Sequence, residues 1–197
     1  MKTLLMVRGV PVQLLDDSSA SFIGGMTIDA DGAPHAYGPP GKRGLDFLAN
    51  AGHPGNWWGV VTDSEGNPVV QTATDPAPGF YVSTTSYERV EFRRSDPRRY
   101  LNAETEKFIV VPAPLRKMMA PVVLGCRALV KHLSTGQEVE TIVGDFGPAT
   151  HLGEASIALA EAFGLHADPR TGGTDAPVFL YKIFPGTAVP GYELQPA

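Results

Sequence analysis

Two carboxylates, Asp145 and Glu154, stand nine residues apart in "GDFGPATHLGE". Asp145 ends an apolar run and Glu154 comes just before a helical one. Two acids facing each other across such a bend can break a glycosidic bond. One protonates the leaving oxygen while the other activates water. Each acid also has a plainer reading. An acid near a helix N-terminus gains about 0.3–1 kcal/mol from the dipole, and an Asp in a turn bonds nearby amides.

Two more acids, Asp29 and Asp31, lie in "TIDADG". Asp31-Gly32 reads as a turn. Alternation puts Asp29 on one face with Thr27 and Asp31. Trp57 and Trp58 sit side by side, so one indole goes to each face of a strand. One is expected in the core, and the other, Trp58, is a candidate platform for a sugar ring. Tyr37, Tyr81 and Tyr87 are open to the same two readings, packing or binding.

Other chemistry finds no pattern. The five histidines lack metal-site spacing, and no metal or organic cofactor is expected. "YGPPGKRG" has no Ser or Thr after Lys42, so it is not a phosphate loop. There is no GxSxG elbow. Cys126 lies in an apolar strand and reads as a buried, inert thiol.

Short elements must hold these residues. Residues 21–41 read as a strand, a turn at Asp31-Gly32 and a return. Residues 56–73 read as a hairpin turning at Glu65-Gly66-Asn67. Residues 79–88 are β-prone, and 107–117 read as a strand ended by Pro112 and Pro114. Residues 124–145 are two strands joined at Ser134-Thr135-Gly136, and 177–186 are a final strand. "ASIALAEAFGL" reads as a helix with an apolar face of Ile157, Ala160 and Phe163, capped by Gly164. Many short strands and one helix predict a mainly β barrel or sandwich. The domain is expected over 21–186, with an N-terminal extension over 1–20 and a C-terminal tail over 187–197.

Composition narrows the partners. With 43% hydrophobic residues the chain can bury a core, and 22 Gly and 18 Pro suit many turns. The net charge is −5 and the basic run "RRSDPRR" carries its own acid. Nucleic acid is therefore not an expected partner. No apolar run reaches membrane-spanning length. The single cysteine excludes an internal disulfide. The opening "MKTLLMVRGVPVQLLDD" is interrupted by Arg8 and Pro11 and does not read as a signal peptide.

In order along the chain, "GGMTIDADGAP", "GFYVSTTSYE", "KFIVVP" and "GDFGPATHLGEASIALAEAFG" resemble the chitosanases of glycoside hydrolase family 75. The resemblance covers about residues 22–185. Thr27 stands where that family usually has an Asp, and Ala30 where it has a Cys. "VGDFGP" followed by a helix ending in Phe-Gly-Leu is also similar to the double-psi β-barrels of lytic transglycosylases. The resemblance implies a six-stranded double-psi β-barrel with extra hairpins and one or two short helices. It further implies a monomeric, inverting, endo-acting hydrolase of β-1,4-linked glucosamine polymers. Asp145 and Glu154 are then the catalytic pair, with Asp145 favoured as the acid. Asp29, Asp31, Tyr37, Trp58 and Tyr81 would bind substrate. The family implies an extracellular protein, whereas the lack of a readable signal suits a cytoplasmic one. Two rivals stay open on the residues alone: a lytic transglycosylase of peptidoglycan, and a non-catalytic polysaccharide-binding barrel.

Overall fold

The computed structural model describes residues 2–118 and 123–196. Ten strands and two short helices follow in chain order. They are β1 Lys2–Val7, β2 Val10–Leu14, β3 Ala20–Asp29, β4 Gly52–His53, β5 Asn56–Trp57, β6 Phe108–Pro112, α1 Leu115–Met118, β7 Cys126–His132, β8 Glu138–Gly147, β9 Glu154–Ser156, α2 Ile157–Ala162 and β10 Thr174–Ala188.

Six strands, in the order β3-β10-β7-β8-β6-β9, close on themselves through a β3–β9 pairing. This is the expected six-stranded barrel. The β3–β9 and β6–β8 pairs are parallel and the other four are antiparallel. Closure leaves these strands no open edge. All five residues of β6 are buried, as are Thr141–Asp145 of β8. Phe108, Ile142, Phe179 and Ile183 are fully buried in one continuous core. Each such side chain contributes about 1.5–3 kcal/mol by leaving water. Phe22 and Tyr181 stack across the β3–β10 pair at 4.6 Å.

The β1–β2 hairpin lies outside the barrel and pairs with β3 through β2. It turns at Arg8 and Gly9, both at positive φ, which is the twist a tight hairpin favours. Among the described residues, no helix is long and apolar enough to cross a membrane.

Several expected strands are shorter or more broken than their sequence pattern. After β3 the chain makes no return strand. Gly32, at φ +76°, has Leu101 O where a Cβ would lie, so the chain leaves β3 against a neighbouring backbone. The 56–73 segment holds β5 and the expected hairpin about Glu65-Gly66-Asn67. The hairpin is reduced to a Thr62–Pro68 bridge, with Asp63 N donating to Asn67 O and Val69 N to Val61 O. Residues 79–88 join it through the Val60–Ser83 and Val70–Tyr81 bridges, and Glu88 bridges Tyr100. Backbone hydrogen bonds join the two segments, Val61 N donating to Val82 O, Val82 N to Val69 O and Gln71 N to Phe80 O, and side chains tie them to their surroundings. Ser83 Oγ accepts from Gly32 N at 2.9 Å and donates to Gly59 O at 3.2 Å. Leu101 N donates to Thr85 Oγ1 at 3.1 Å. Strand β6 stops at Pro112, and the residues after Pro114 form α1 rather than more strand.

The expected helix is shorter than its apolar pattern. Ser156 caps α2, its Oγ accepting from Leu159 N, and Gly164 follows the helix at φ +72°. Ile157 and Ala160 are buried, and Phe163 packs on Phe179 at 5.0 Å. Glu154 therefore does not open the helix. It begins β9 and is held by sheet pairing.

Candidate active site

The barrel places the two principal acids by register. Val110 of β6 pairs with Asp145 of β8 on one side and with Glu154 of β9 on the other. Strands are about 4.8 Å apart, so these two backbones stand roughly 9.5 Å apart. On its far side β9 pairs with β3, matching Glu154 to Thr27 and Ser156 to Asp29. Residues far apart in sequence thus reach one end of the barrel. There they line a cavity of about 660 Å³. Asp29, Asp31, Asp46, Asp145 and Glu154 all line it, with Tyr37 and Trp58. Gly147 makes room for Glu154, since a Cβ there would sit 3.2 Å from Glu154 Oε2.

Asp145 and Glu154 differ in their partners. Asp145 is buried, and its Oδ1 accepts from Ser86 N at 2.9 Å, from Phe146 N at 2.7 Å and from the Ser86 hydroxyl. Burial pushes its carboxyl up to about 6, against the pull of those donors. Glu154 is half-buried, and its carboxylate accepts no hydrogen bond from a described residue. Burial first, then the charges of Asp145 and Asp46, push it up to about 7. Donors thus stabilise the ionised form of Asp145, and nothing stabilises that of Glu154. The donor set therefore favours ionisation of Asp145 over that of Glu154.

Asp29 and Asp31 form a second, tighter pair. Asp31 N donates to Asp29 Oδ1 at 2.8 Å, and the Tyr37 hydroxyl donates to Asp31 Oδ1 at 2.6 Å. Asp29 Oδ2 is buried with no hydrogen-bond partner among the described residues. Burial holds both carboxyls well above the usual range, and the acids around them add to the shift. Burial and Asp31 also push the Tyr37 phenol up, so it stays a donor. Asp29, Asp31 and Asp145 can each bring one oxygen within 4.8 Å of the others. That span equals two calcium–oxygen bonds of about 2.4 Å, so these three residues could share a cation as well as a proton.

Trp58 is 57% exposed at the cavity, and its Nε1 donates to Asn50 O at 2.8 Å. The basic residues at the lining, among the described residues, are Arg8 and His151. Burial lowers the affinity of His151 for a proton, and its Nε2 lies 3.1 Å from Thr27 Oγ1.

Six of the seven predicted residues therefore meet: Asp29, Asp31, Tyr37, Trp58, Asp145 and Glu154. Tyr81 does not join them and lines a second cavity beside Trp57. Tyr87 is buried, edge-on to Tyr192. Two contributors had been missed. Asp46 accepts from Phe47 N at 2.7 Å and Asn50 Nδ2 at 2.8 Å, and its charge reaches Glu154. "DFLAN" hints at it, with an Asp four residues before an Asn at a helical turn. Ser86 carries no local signal, because its partner is 59 residues away.

The chain matches no protein-family model and no curated protein sequence.

Proposed function

We propose that this chain is an endo-acting, inverting glycoside hydrolase of β-1,4-linked glucosamine polymers. The observation that carries the reading is the pair of acids flanking Val110 over one cavity, one saturated with donors and the other bare. A backbone spacing of roughly 9.5 Å suits carboxyl groups about 6.5–9.5 Å apart, which leaves room for a water between acid and base.

In this reading the roles are exchanged relative to those the resemblance favours, because the hydrogen-bond donors gather on Asp145 and not on Glu154. Glu154 holds the proton and gives it to the glycosidic oxygen as the bond to the anomeric carbon breaks. Asp145 takes a proton from the water that attacks that carbon from the opposite face. The product has the inverted configuration, and proton exchange with solvent restores the pair. Asp29 and Asp31, held by Tyr37, offer acceptors to an ammonium or hydroxyl of the sugar. Trp58 offers an aromatic face. Five acids lining one cavity favour a polycationic chain over a neutral one. A polymer of this kind implies action outside the cell.

A substrate panel tests the reading: chitosan at several acetylation levels, chitin, murein and cellulose, followed by reducing ends and product anomer. Chitosan should release reducing ends fastest, and as the α-anomer. Anhydro-sugar ends from murein would indicate a lytic transglycosylase. No release from any polymer would reduce the protein to a polysaccharide-binding barrel.

A further inference from the structure

The second cavity has the same volume as the first, about 660 Å³, and shares no lining residue with it. One ribbon of chain divides them. Leu48 faces the second cavity, while Ala49 and Asn50 face the acids. After the β4–β5 turn Trp57 faces the second cavity and Trp58 the acids. The cavities therefore lie side by side, with the exposed Trp58 indole at the divide.

Trp57 and Tyr81 form an aromatic corner in the second cavity, with ring centroids 6.4 Å apart and planes inclined by 54°. Two inclined rings leave an apolar cleft with a face on each side. Polar groups border it. Asn56 and Thr62 line the cavity, and their side chains bond no described residue. Glu65 and Asn67 line it too, joined by a 3.4 Å hydrogen bond. Among the described residues no Lys, Arg or His lines the cavity, and Glu65 adds negative charge. Aromatic faces, unused amide and hydroxyl groups and one acid are suited to an amino sugar: C–H faces to stack, hydroxyls to bond and an ammonium to attract.

We infer that this cavity is a remote subsite for further sugar units of the polymer cleaved next door, with Trp57 and Tyr81 as its stacking walls. The inference rests on the proposed hydrolase reading, and it gives the ribbon of residues 48–58 two working faces. A chain passing over Trp58 would fill both cavities at once. A short oligomer would fill only the one with the acids. The Trp57–Tyr81 corner then serves affinity for long chains and leaves bond cleavage unchanged.

The test is calorimetric binding of glucosamine disaccharide and hexasaccharide to the E154Q protein, with and without W57A, Y81A or N56A. Each ring removal should weaken the hexasaccharide roughly five- to tenfold, as expected for losing one stacked face. The disaccharide should bind as before. Unchanged disaccharide binding also shows that the variant is folded, and N56A removes an exposed amide that the core does not need. Equal weakening for both lengths, or none for either, overturns the subsite. A fault in the hydrolase reading shows separately, as wild-type protein that binds oligomers yet never releases reducing ends. If neither oligomer binds, both proposals fall.

Discussion

Asp145 and Glu154 pair with the same residue, Val110, from opposite sides of strand β6. Their separation is therefore set by the sheet and not by the loop between them. Asp145→Asn and Glu154→Gln should leave that frame intact, with melting temperatures within about 4 °C of wild type. Each should lower reducing-end release from chitosan by about 10²–10⁴-fold. The two should part on a glucosamine oligomer carrying a nitrophenolate leaving group. That group needs no proton, so E154Q should recover most of its loss and D145N should not. Recovery in D145N instead would restore Asp145 as the acid.

Activity should follow a bell in pH. The base Asp145 must be ionised and is pushed up to about 6, while the acid Glu154 must be protonated and is pushed up to about 7. Rates should rise as pH passes the first value and fall as it passes the second. Because the acids interact, the limbs belong to the pair. The check is kcat/KM on soluble chitosan oligomers across mildly acidic to mildly basic pH. A plateau extending well above neutrality would remove the need for a protonated carboxyl.

Ser86 fixes the lower limb. It donates to Asp145 through both its amide and its hydroxyl. Ser86→Ala removes the hydroxyl and keeps the amide, so Asp145 should become harder to ionise. A hydrogen bond to a charged group is worth about 1.5–3 kcal/mol, so the acidic limb should climb by roughly one unit. Ser86→Thr should restore it. A lower rate with an unmoved limb would make Ser86 a packing residue only.

The barrel was legible because its strands are apolar runs bounded by turns, as in "KFIVVP" and "ETIVG". The hairpin in 56–73 and its neighbour 79–88 were legible too, though they form bridges rather than full strands. What ties them to the rest of the molecule, such as the contacts of Ser83 with Gly32 and Gly59, no local pattern announces. Asp145 and Glu154 were visible as acids at a bend. Their common partner Val110 was not, because register between distant strands is a property of barrel closure. Ser86 and Asp46 act through residues far along the chain, and Tyr81 was assigned to the acids on residue type alone. Alternation did separate Trp57 from Trp58, and they face two different cavities.

The same acids set how stability depends on pH. Asp29, Asp31, Asp145 and Glu154 all hold protons more tightly folded than unfolded. Unfolded carboxyls titrate near 3.9–4.3. Stability from these groups is therefore fully present below about pH 4 and is lost as pH climbs through the folded values. Asp96 works the other way: hydrogen bonds from Arg98 hold its carboxyl low, so its contribution disappears on acidification. The melting temperature should peak at mildly acidic pH and fall towards pH 8, where the clustered acids are forced to ionise. Asp29→Asn removes one such group and gives the site an amide beside Asp31. It should flatten the decline and raise the melting temperature at about pH 8 by roughly 2–4 °C for each kcal/mol regained. Melting curves of both proteins across this range provide the measurement. A wild-type curve that does not fall between about pH 5 and 8, or a D29N curve parallel to it, would mean that the cavity acids are not destabilising one another.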